Sequence, residues 1–178
     1  MPPREQQRDR VLARLADHLL ATGLSRASLR ELARAGGVSD RMLLYYFADK
    51  AEVLAAACAQ VSANSAGRIA AAFPPGTRLS APALTREAVR LTTSAEMRPF
   101  MRLWVEIVAA AARREEPFPA VAATILDGFL GWIRLHLAED PGADPEAQAA
   151  IILATIDGLA LIDVCRGDGL VERAAALL

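Results

Sequence analysis

The stretch that decides the fold is residues 28–47, SLRELARAGGVSDRMLLYYF, in which two short amphipathic segments flank a pair of glycines. Two helices that cross at a tight turn need a small residue at their contact, a flexible residue in the turn and an aliphatic anchor on the second helix. Ala33, Gly37 and Leu43 supply these at spacings of four and six residues. The spacing indicates a helix-turn-helix, and an ordinary helical hairpin is the alternative.

Apolar residues in the rest of the chain recur at helical spacing, and glycine and proline separate the helical stretches. We therefore predict an all-α fold with helices over 4–22, 28–35, 40–47, 49–72, 83–94, 98–115, 118–139, 145–166 and 170–178. We expect a helix-turn-helix DNA-binding domain over residues 1–50 and a helical ligand-binding and dimerisation bundle over residues 51–178.

Composition and charge favour a globular protein with a basic head. Of the 178 residues, 53% are hydrophobic and 23% are charged, which is too apolar for a disordered chain. No uninterrupted apolar run reaches the roughly 18 residues that a membrane-spanning helix needs, so we expect a cytoplasmic protein without a membrane partner. Residues 1–50 carry nine basic and six acidic side chains, or +3, and the remainder carries −4.

Both cysteines, Cys58 and Cys165, lie in apolar helical surroundings and are predicted to be buried thiols.

The run from Gly23 to Leu54, GLSRASLRELARAGGVSDRMLLYYFADKAEVL, strongly resembles the DNA-binding head of the TetR family of transcriptional regulators. The shared features are a glycine that closes the first helix, a hydroxyl residue that opens the second, a Leu-Ala pair, a Gly-Val-Ser turn, a Tyr-Phe ending and a lysine three residues later. The length of the chain and its Asp-Gly-Leu-Ala segment at 157–160 resemble the family's body at the level of pattern. The recognition helix departs from the family's commonest form at Arg41, Met42, Leu44 and Tyr45, so the operator sequence does not carry over.

Helix geometry separates the outward side of the second helix from its core side. At about 100° per residue, Arg41 and Tyr45 point away from the core-facing Leu43. Arg41 suits guanine edges, Met42 a thymine methyl and Tyr45 a phosphate or sugar. The resemblance adds a base contact at Arg30 and phosphate contacts at Ser28 and Lys50. The predicted DNA-binding residues are Ser28, Arg30, Ser39, Arg41, Met42, Tyr45, Tyr46 and Lys50.

Two stripes of large side chains in the second half of the chain follow three- and four-residue steps. They indicate either ordinary core packing or a pocket between helices for a mostly apolar small molecule. Glu106 and Asp127 stand in apolar surroundings, where each could orient a ligand or reach the surface. The predicted ligand-binding residues are Met97, Phe100, Met101, Trp104, Glu106, Phe129, Trp132 and His136, and Phe73 could join them.

The segment 147–165, AQAAIILATIDGLALIDVC, is apolar on nearly every side, so it needs a cover on both faces. A second copy of the chain would provide that cover and a second half-site for DNA, and burial within one larger core is the alternative. The predicted interface residues are Ile152, Thr155, Gly158, Leu159 and Ile162.

The sequence lacks a phosphate loop, a nucleophile elbow and the residue spacing of a metal site, so we predict no enzymatic activity, no cofactor and no metal. The predicted function is that of a ligand-responsive transcriptional regulator, most simply a repressor. Its predicted partners are double-stranded operator DNA, a small-molecule effector and a second copy of the chain. A regulator that acts as an activator, or a non-catalytic helical interaction module, is the alternative.

Overall fold

A computed structural model describes residues 4–140, 142–167 and 169–178. Residues 1–3 of the predicted first domain, together with Pro141 and Asp168, lie outside this description. The described residues form nine α-helices and one short 3-10 helix, Leu24–Arg26. The α-helices are α1 (Arg4–Thr22), α2 (Leu29–Gly36), α3 (Asp40–Tyr46), α4 (Lys50–Ala72), α5 (Ala81–Thr92), α6 (Arg98–Ala112), α7 (Phe118–His136), α8 (Pro145–Arg166) and α9 (Leu170–Ala175).

The predicted all-α fold is confirmed, and three helices, α6, α7 and α9, end about three residues earlier than predicted. Helix α6 stops at Ala112 because Arg114, two residues later, takes a positive φ of 58°. Helix α7 stops at His136 because the chain beyond it pairs with another segment. The Leu79 N–H donates to the His136 carbonyl oxygen at 2.8 Å, and the Ala138 N–H donates to the Leu79 carbonyl oxygen at 2.8 Å.

The chain divides into two compact units. Unit 1 comprises the residues up to Ala66 together with Arg102–Ala123. In this unit α1 packs against α2, and α2 packs against α3. Its core is built from side chains that are almost entirely removed from solvent: Leu15, Leu19, Leu32, Leu43, Phe47, Val53 and Val61.

Unit 2 comprises Gly67–Met101 and Thr124–Leu178. Here α5 packs against both α8 and α9, and Leu84, Met97 and Ile133 are almost fully buried. The buried carboxylate of Asp163 on α8 accepts hydrogen bonds from Nε and Nη2 of Arg98, each at 3.2 Å. Sequence reasoning did not find this ion pair.

Helix α8 exposes a different set of residues from the one predicted for its interface. Ile152 is only 4% exposed and is buried within its own unit, so its assignment to the interface is wrong by one position. Its neighbour Ile151 is 67% exposed. Leu159 and Thr155 are half-buried, whereas Gly158 and Ile162 are exposed as predicted. The outer stripe of α8, as we call it below, consists of Ile151, Ala154, Gly158, Leu161, Ile162 and Cys165.

The two cysteines differ in their exposure to solvent. Cys58 is buried as predicted, but Cys165 is exposed, because it falls on the outer stripe. By length and composition alone, α7 and α8 could each cross a membrane. Core helices of soluble proteins pass the same test, and α8 carries the paired Asp163 on its buried side.

Candidate nucleic-acid interface

The turn between α2 and α3 has the geometry that its glycine predicts. Gly37 takes the left-handed conformation, with φ 70° and ψ 32°. The Val38 N–H donates to the Ala33 carbonyl oxygen at 3.0 Å and the Gly37 N–H to the Arg34 carbonyl oxygen at 3.1 Å, which closes α2 as a Schellman motif. A side chain at Gly37 would also run into the guanidinium of Arg14.

Serine side chains cap both helices of the motif. The Ser28 hydroxyl accepts from the Glu31 N–H at 3.3 Å and donates to the Glu31 carboxylate at 3.1 Å, so Ser28 caps the start of α2. The Ser39 hydroxyl accepts from the Met42 N–H at 3.2 Å. The start of the second helix is therefore fixed immediately before its candidate DNA-contacting residues.

Helix α3 has a buried side and an exposed side. Leu43 and Phe47 are buried, as the helical wheel predicts. Arg41, Met42, Leu44 and Tyr45 are exposed. A short helix with this division presents a row of side chains that a DNA groove can reach.

Tyr46 is the exception among the predicted contacts on α3. Its side chain is only 7% exposed, whereas that of Tyr45 is 56% exposed. The two rings meet edge to face, with centroids 5.5 Å apart. Tyr46 therefore belongs to the core of unit 1, which corrects its assignment to the DNA surface.

Two arginines of α1 lie over aromatic rings at the end of α3. The Arg4 guanidinium lies 4.6 Å from the centroid of the Tyr45 ring, and Arg4 Nη2 donates to the Tyr45 carbonyl oxygen at 3.2 Å. The Arg8 guanidinium lies 4.8 Å from the Phe47 ring centroid. Sequence reasoning missed both contacts because they join residues about 40 positions apart.

The remaining predicted DNA contacts lie around α3 in unit 1. Ser28, Arg30, Ser39 and Lys50 are all exposed. Lys50 begins α4, where the Asp49 carboxylate accepts from the Glu52 N–H at 2.8 Å and the Glu52 carboxylate accepts from the Ala48 N–H at 2.6 Å. This double cap fixes the start of α4 and hence the position of the chain's only lysine.

Glu106 and Asp127 have different surroundings. Asp127 is exposed. The Glu106 carboxylate accepts a hydrogen bond from the Leu24 N–H at 2.6 Å, within unit 1. Trp104 also belongs to unit 1, where it is buried, whereas the other six predicted ligand-binding residues belong to unit 2.

Aromatic side chains of unit 2 form two groups. Trp132 stacks on His136 with ring centroids 4.6 Å apart, and Phe73 meets the Trp132 ring edge to face at 4.8 Å. The second group is Phe100 and Phe129, whose centroids are 6.0 Å apart. His136 Nδ1 hydrogen-bonds the Trp132 carbonyl oxygen at 2.9 Å, but the buried indole Nε1 of Trp132 has no hydrogen-bond partner among the described residues. Met97 and Met101 are buried in the same unit.

Metal-ligating side chains do not converge in the part of the chain that the structure describes. No three His, Cys, Asp or Glu residues there lie close enough together to hold a metal ion.

Solved structures with the same fold cover nearly the whole chain. A TetR-family transcriptional regulator from Rhodococcus superposes with a TM-score of 0.78 at 19% identity, over 97% of this chain and 94% of that one. The multidrug binding protein EbrR, crystallised with proflavin, gives a TM-score of 0.68 at 22% identity, over 97% of each chain. A transcriptional regulator from Saccharomonospora viridis in complex with choline gives 0.69 at 17% identity, over 97% of this chain and 93% of that one. No curated protein matches the chain.

The helix-turn-helix also matches a family by sequence. Residues 14–57 match the family described as "Bacterial regulatory proteins, tetR family". This range runs from the middle of α1 through α2 and α3 into α4, so it contains the glycine turn, both serine caps and the exposed row of α3. Residues 14–57 are therefore similar to the DNA-binding head of that family, and the solved structures show that the chain shares their fold.

Proposed function

We propose that the chain is a homodimeric transcriptional repressor that leaves its operator when a mostly apolar small molecule binds. The observation that carries the DNA-binding part of the proposal is the exposed row Arg41, Met42 and Tyr45 on a helix whose opposite side is buried. Side chains on such a row reach base edges when the helix lies in the major groove.

Each residue of the row suits a different part of the DNA. The Arg41 guanidinium can donate two hydrogen bonds to one guanine, which makes it the candidate for sequence readout. Met42 offers an apolar contact to a thymine methyl. Tyr45 offers a hydroxyl to a phosphate, and Ser28 and Lys50 are candidates for further phosphate contacts that fix register. Arg30 and Ser39 are exposed near the same surface of unit 1 and complete the proposed interface.

The outer stripe of α8 supports the proposed homodimer. Ile151 and Leu161 are 67% and 46% exposed, and Ala154, Gly158 and Cys165 lie between or beyond them at helical spacing. An apolar row of this length on a soluble chain favours a partner surface. Two copies that meet through the same stripe would form a twofold dimer, which matches two half-sites on DNA.

The aromatic groups of unit 2 support a small-molecule effector. The Trp132 indole N–H is buried without a partner among the residues that the structure describes, so a ligand that carries a hydrogen-bond acceptor would satisfy it. Phe73 and His136 border the same ring. Two proteins with this fold were crystallised with proflavin and with choline, and we propose that this chain likewise binds an organic molecule, one that is largely apolar.

Selection of bound sequences from a random duplex library tests the DNA-binding proposal. We expect an enriched sequence with two related half-sites centred about 34 to 36 Å apart, or a multiple of that distance. A library that shows no enrichment would contradict the proposal and favour the non-catalytic interaction module.

Titration with proflavin tests release, with fluorescence anisotropy of the labelled operator as the readout. We expect bound ligand to weaken operator binding by about 1 to 3 kcal/mol, and operator to weaken ligand binding by the same factor. Trp132→Phe removes the indole N–H and keeps an aromatic ring, so it should weaken ligand binding while leaving operator affinity of the free protein unchanged. Ligand binding that leaves operator affinity unchanged would contradict release, and ligand binding that strengthens it would indicate a co-repressor or activator.

A further inference from the structure

The connection between α1 and α2 is held by a side chain that comes from far along the chain. The Leu24 N–H, which opens the 3-10 helix Leu24–Arg26, donates to the Glu106 carboxylate of α6 at 2.6 Å. The two residues are 82 positions apart, and both belong to unit 1. Hydrogen bonds to an ionised acceptor are shorter and stronger than neutral ones.

The backbone conformation of Gly23 and its lack of a side chain both suit this contact. Its φ of 67° and ψ of −165° place it in a region that essentially only glycine occupies. A Cβ built on Gly23 would collide with the Glu106 carboxylate. The glycine therefore serves both the turn after α1 and the close approach of the carboxylate to the Leu24 amide.

The contact lies where it can determine how the chain passes from α1 into the helix-turn-helix. The Gly23 N–H donates to the Leu19 carbonyl oxygen at 2.9 Å, which closes α1. Ala27 follows the 3-10 helix and is buried, and Ser28 then caps α2. Only four residues lie between Gly23 and this cap, so a displacement at Gly23 and Leu24 changes how α2 leaves α1.

We infer that Glu106 is a positioning residue for DNA recognition. Its carboxylate holds the Gly23–Leu24 amide and thereby fixes the α1–α2 connection in the arrangement that presents α3 to the major groove. The inference rests on the proposed DNA binding and assigns Glu106 to the head instead of to a ligand. It predicts that Glu106 affects sequence readout without contacting DNA.

Operator and scrambled duplexes, titrated over a range of salt concentrations, test the inference. Glu106→Ala should weaken operator binding by about tenfold, as expected for one lost charge-assisted hydrogen bond. Binding to the scrambled duplex and the salt dependence should stay unchanged, because no phosphate contact is lost. Glu106→Gln keeps an acceptor oxygen and should restore most of the affinity.

Glu115→Gln is the matched control. Glu115 is an exposed carboxylate that, like Glu106, lines a surface cleft of about 430 Å³, and it pairs with Arg113 instead of with a backbone amide. The control should bind operator as the unaltered protein does. Hydrogen exchange at the Leu24 amide should accelerate in Glu106→Ala and not in Glu115→Gln, which shows whether the bond exists in solution.

Three outcomes would overturn the inference. The first is unchanged operator affinity in Glu106→Ala despite faster exchange at Leu24. The second is an equal loss on operator and scrambled DNA. The third is an unchanged exchange rate at Leu24. If Glu106→Ala does not fold, Gly23→Ala, whose methyl group displaces the carboxylate, must give the same selective loss of operator binding. A failure of the unaltered protein to select any duplex would instead refute the proposed function itself.

Discussion

The guanidinium of Arg4 lies over the ring of Tyr45 and also donates to the Tyr45 carbonyl oxygen, so the first turn of α1 touches the last turn of α3. The contact restrains the one large exposed aromatic side chain on the candidate DNA surface. Because an ordered side chain loses less conformational entropy on binding, we expect Arg4 to prepare Tyr45 for its proposed contact with DNA.

Arg4→Ala should therefore weaken operator binding by about 0.5 to 1 kcal/mol, the usual worth of an exposed cation–π contact. Arg10→Ala is the control, because Arg10 is exposed on the same helix and its loss removes the same charge. Fluorescence anisotropy at several salt concentrations separates the two effects. Equal losses in both variants would mean that Arg4 contributes only its charge.

Arg41 and Lys50 should differ in the kind of binding that they support. Arg41→Ala should weaken operator binding by about 1 to 3 kcal/mol and relax the preference at one base pair. Lys50→Ala should weaken all sequences alike and reduce the salt slope by about one. Binding to a panel of single-base operator variants provides the measurement. An unchanged ratio of operator to random DNA in Arg41→Ala would refute the assignment of sequence readout to this residue.

The outer stripe of α8 should control assembly. Ile151→Arg or Leu161→Arg should produce monomers with weakened operator binding, because a charge would be buried where the two copies meet. Val108→Arg is the matched control, since Val108 is 42% exposed and lies on α6 of unit 1. Light scattering at micromolar concentration measures the mass. A dimer that persists in both α8 variants would contradict the proposed interface.

The two thiols should differ in reactivity. Burial raises the pKa of Cys58 from 9.0 to about 12, so its thiolate is almost absent near neutral pH, whereas Cys165 is exposed. Iodoacetamide followed by mass spectrometry should modify Cys165 alone in the native protein and both cysteines after unfolding. If α8 forms the dimer, modification of Cys165 should slow as the protein concentration rises.

The same pKa shift has a consequence for stability. The unfolded thiol ionises near 9.0 and the native one near 12, so the native state loses stability as the pH rises between these values. Cys58→Ala should reduce this alkaline loss, which urea titrations at several pH values can measure. An identical pH dependence in the variant and the unaltered protein would contradict the raised pKa.

Local patterns predicted most of the fold because helix ends depend on nearby residues. Ser28, Gly37 and Ser39 begin or end helices through hydrogen bonds within five positions of themselves. The contacts that sequence reasoning missed depend on distant residues. Arg98 reaches Asp163 across 65 positions, and Glu106 reaches Leu24 across 82. No periodicity within one helix contains that information.

A one-residue error on a helix has large effects when both sides are apolar. Ile151 and Ile152 are equally hydrophobic, so composition does not show which one faces outwards, and the tertiary contacts of α8 separate them. Tyr45 and Tyr46 present the same difficulty on α3. The exposed position of Arg41 was predictable, because its charge favours the solvent side of α3 and Leu43 marks the opposite, buried side.

The ion pair between Asp163 and Arg98 explains why α8 settles in one rotational setting. Its buried residues are otherwise apolar, so turning the helix about its axis would exchange one set of aliphatic side chains for another at little cost. Asp163 removes this freedom, because any other rotation would strand its carboxylate away from the Arg98 guanidinium. A single buried charge thus determines which residues of α8 face outwards, although the hydrophobicity of the helix is nearly uniform. With an apolar residue at 163, the helix would not expose one defined set of residues.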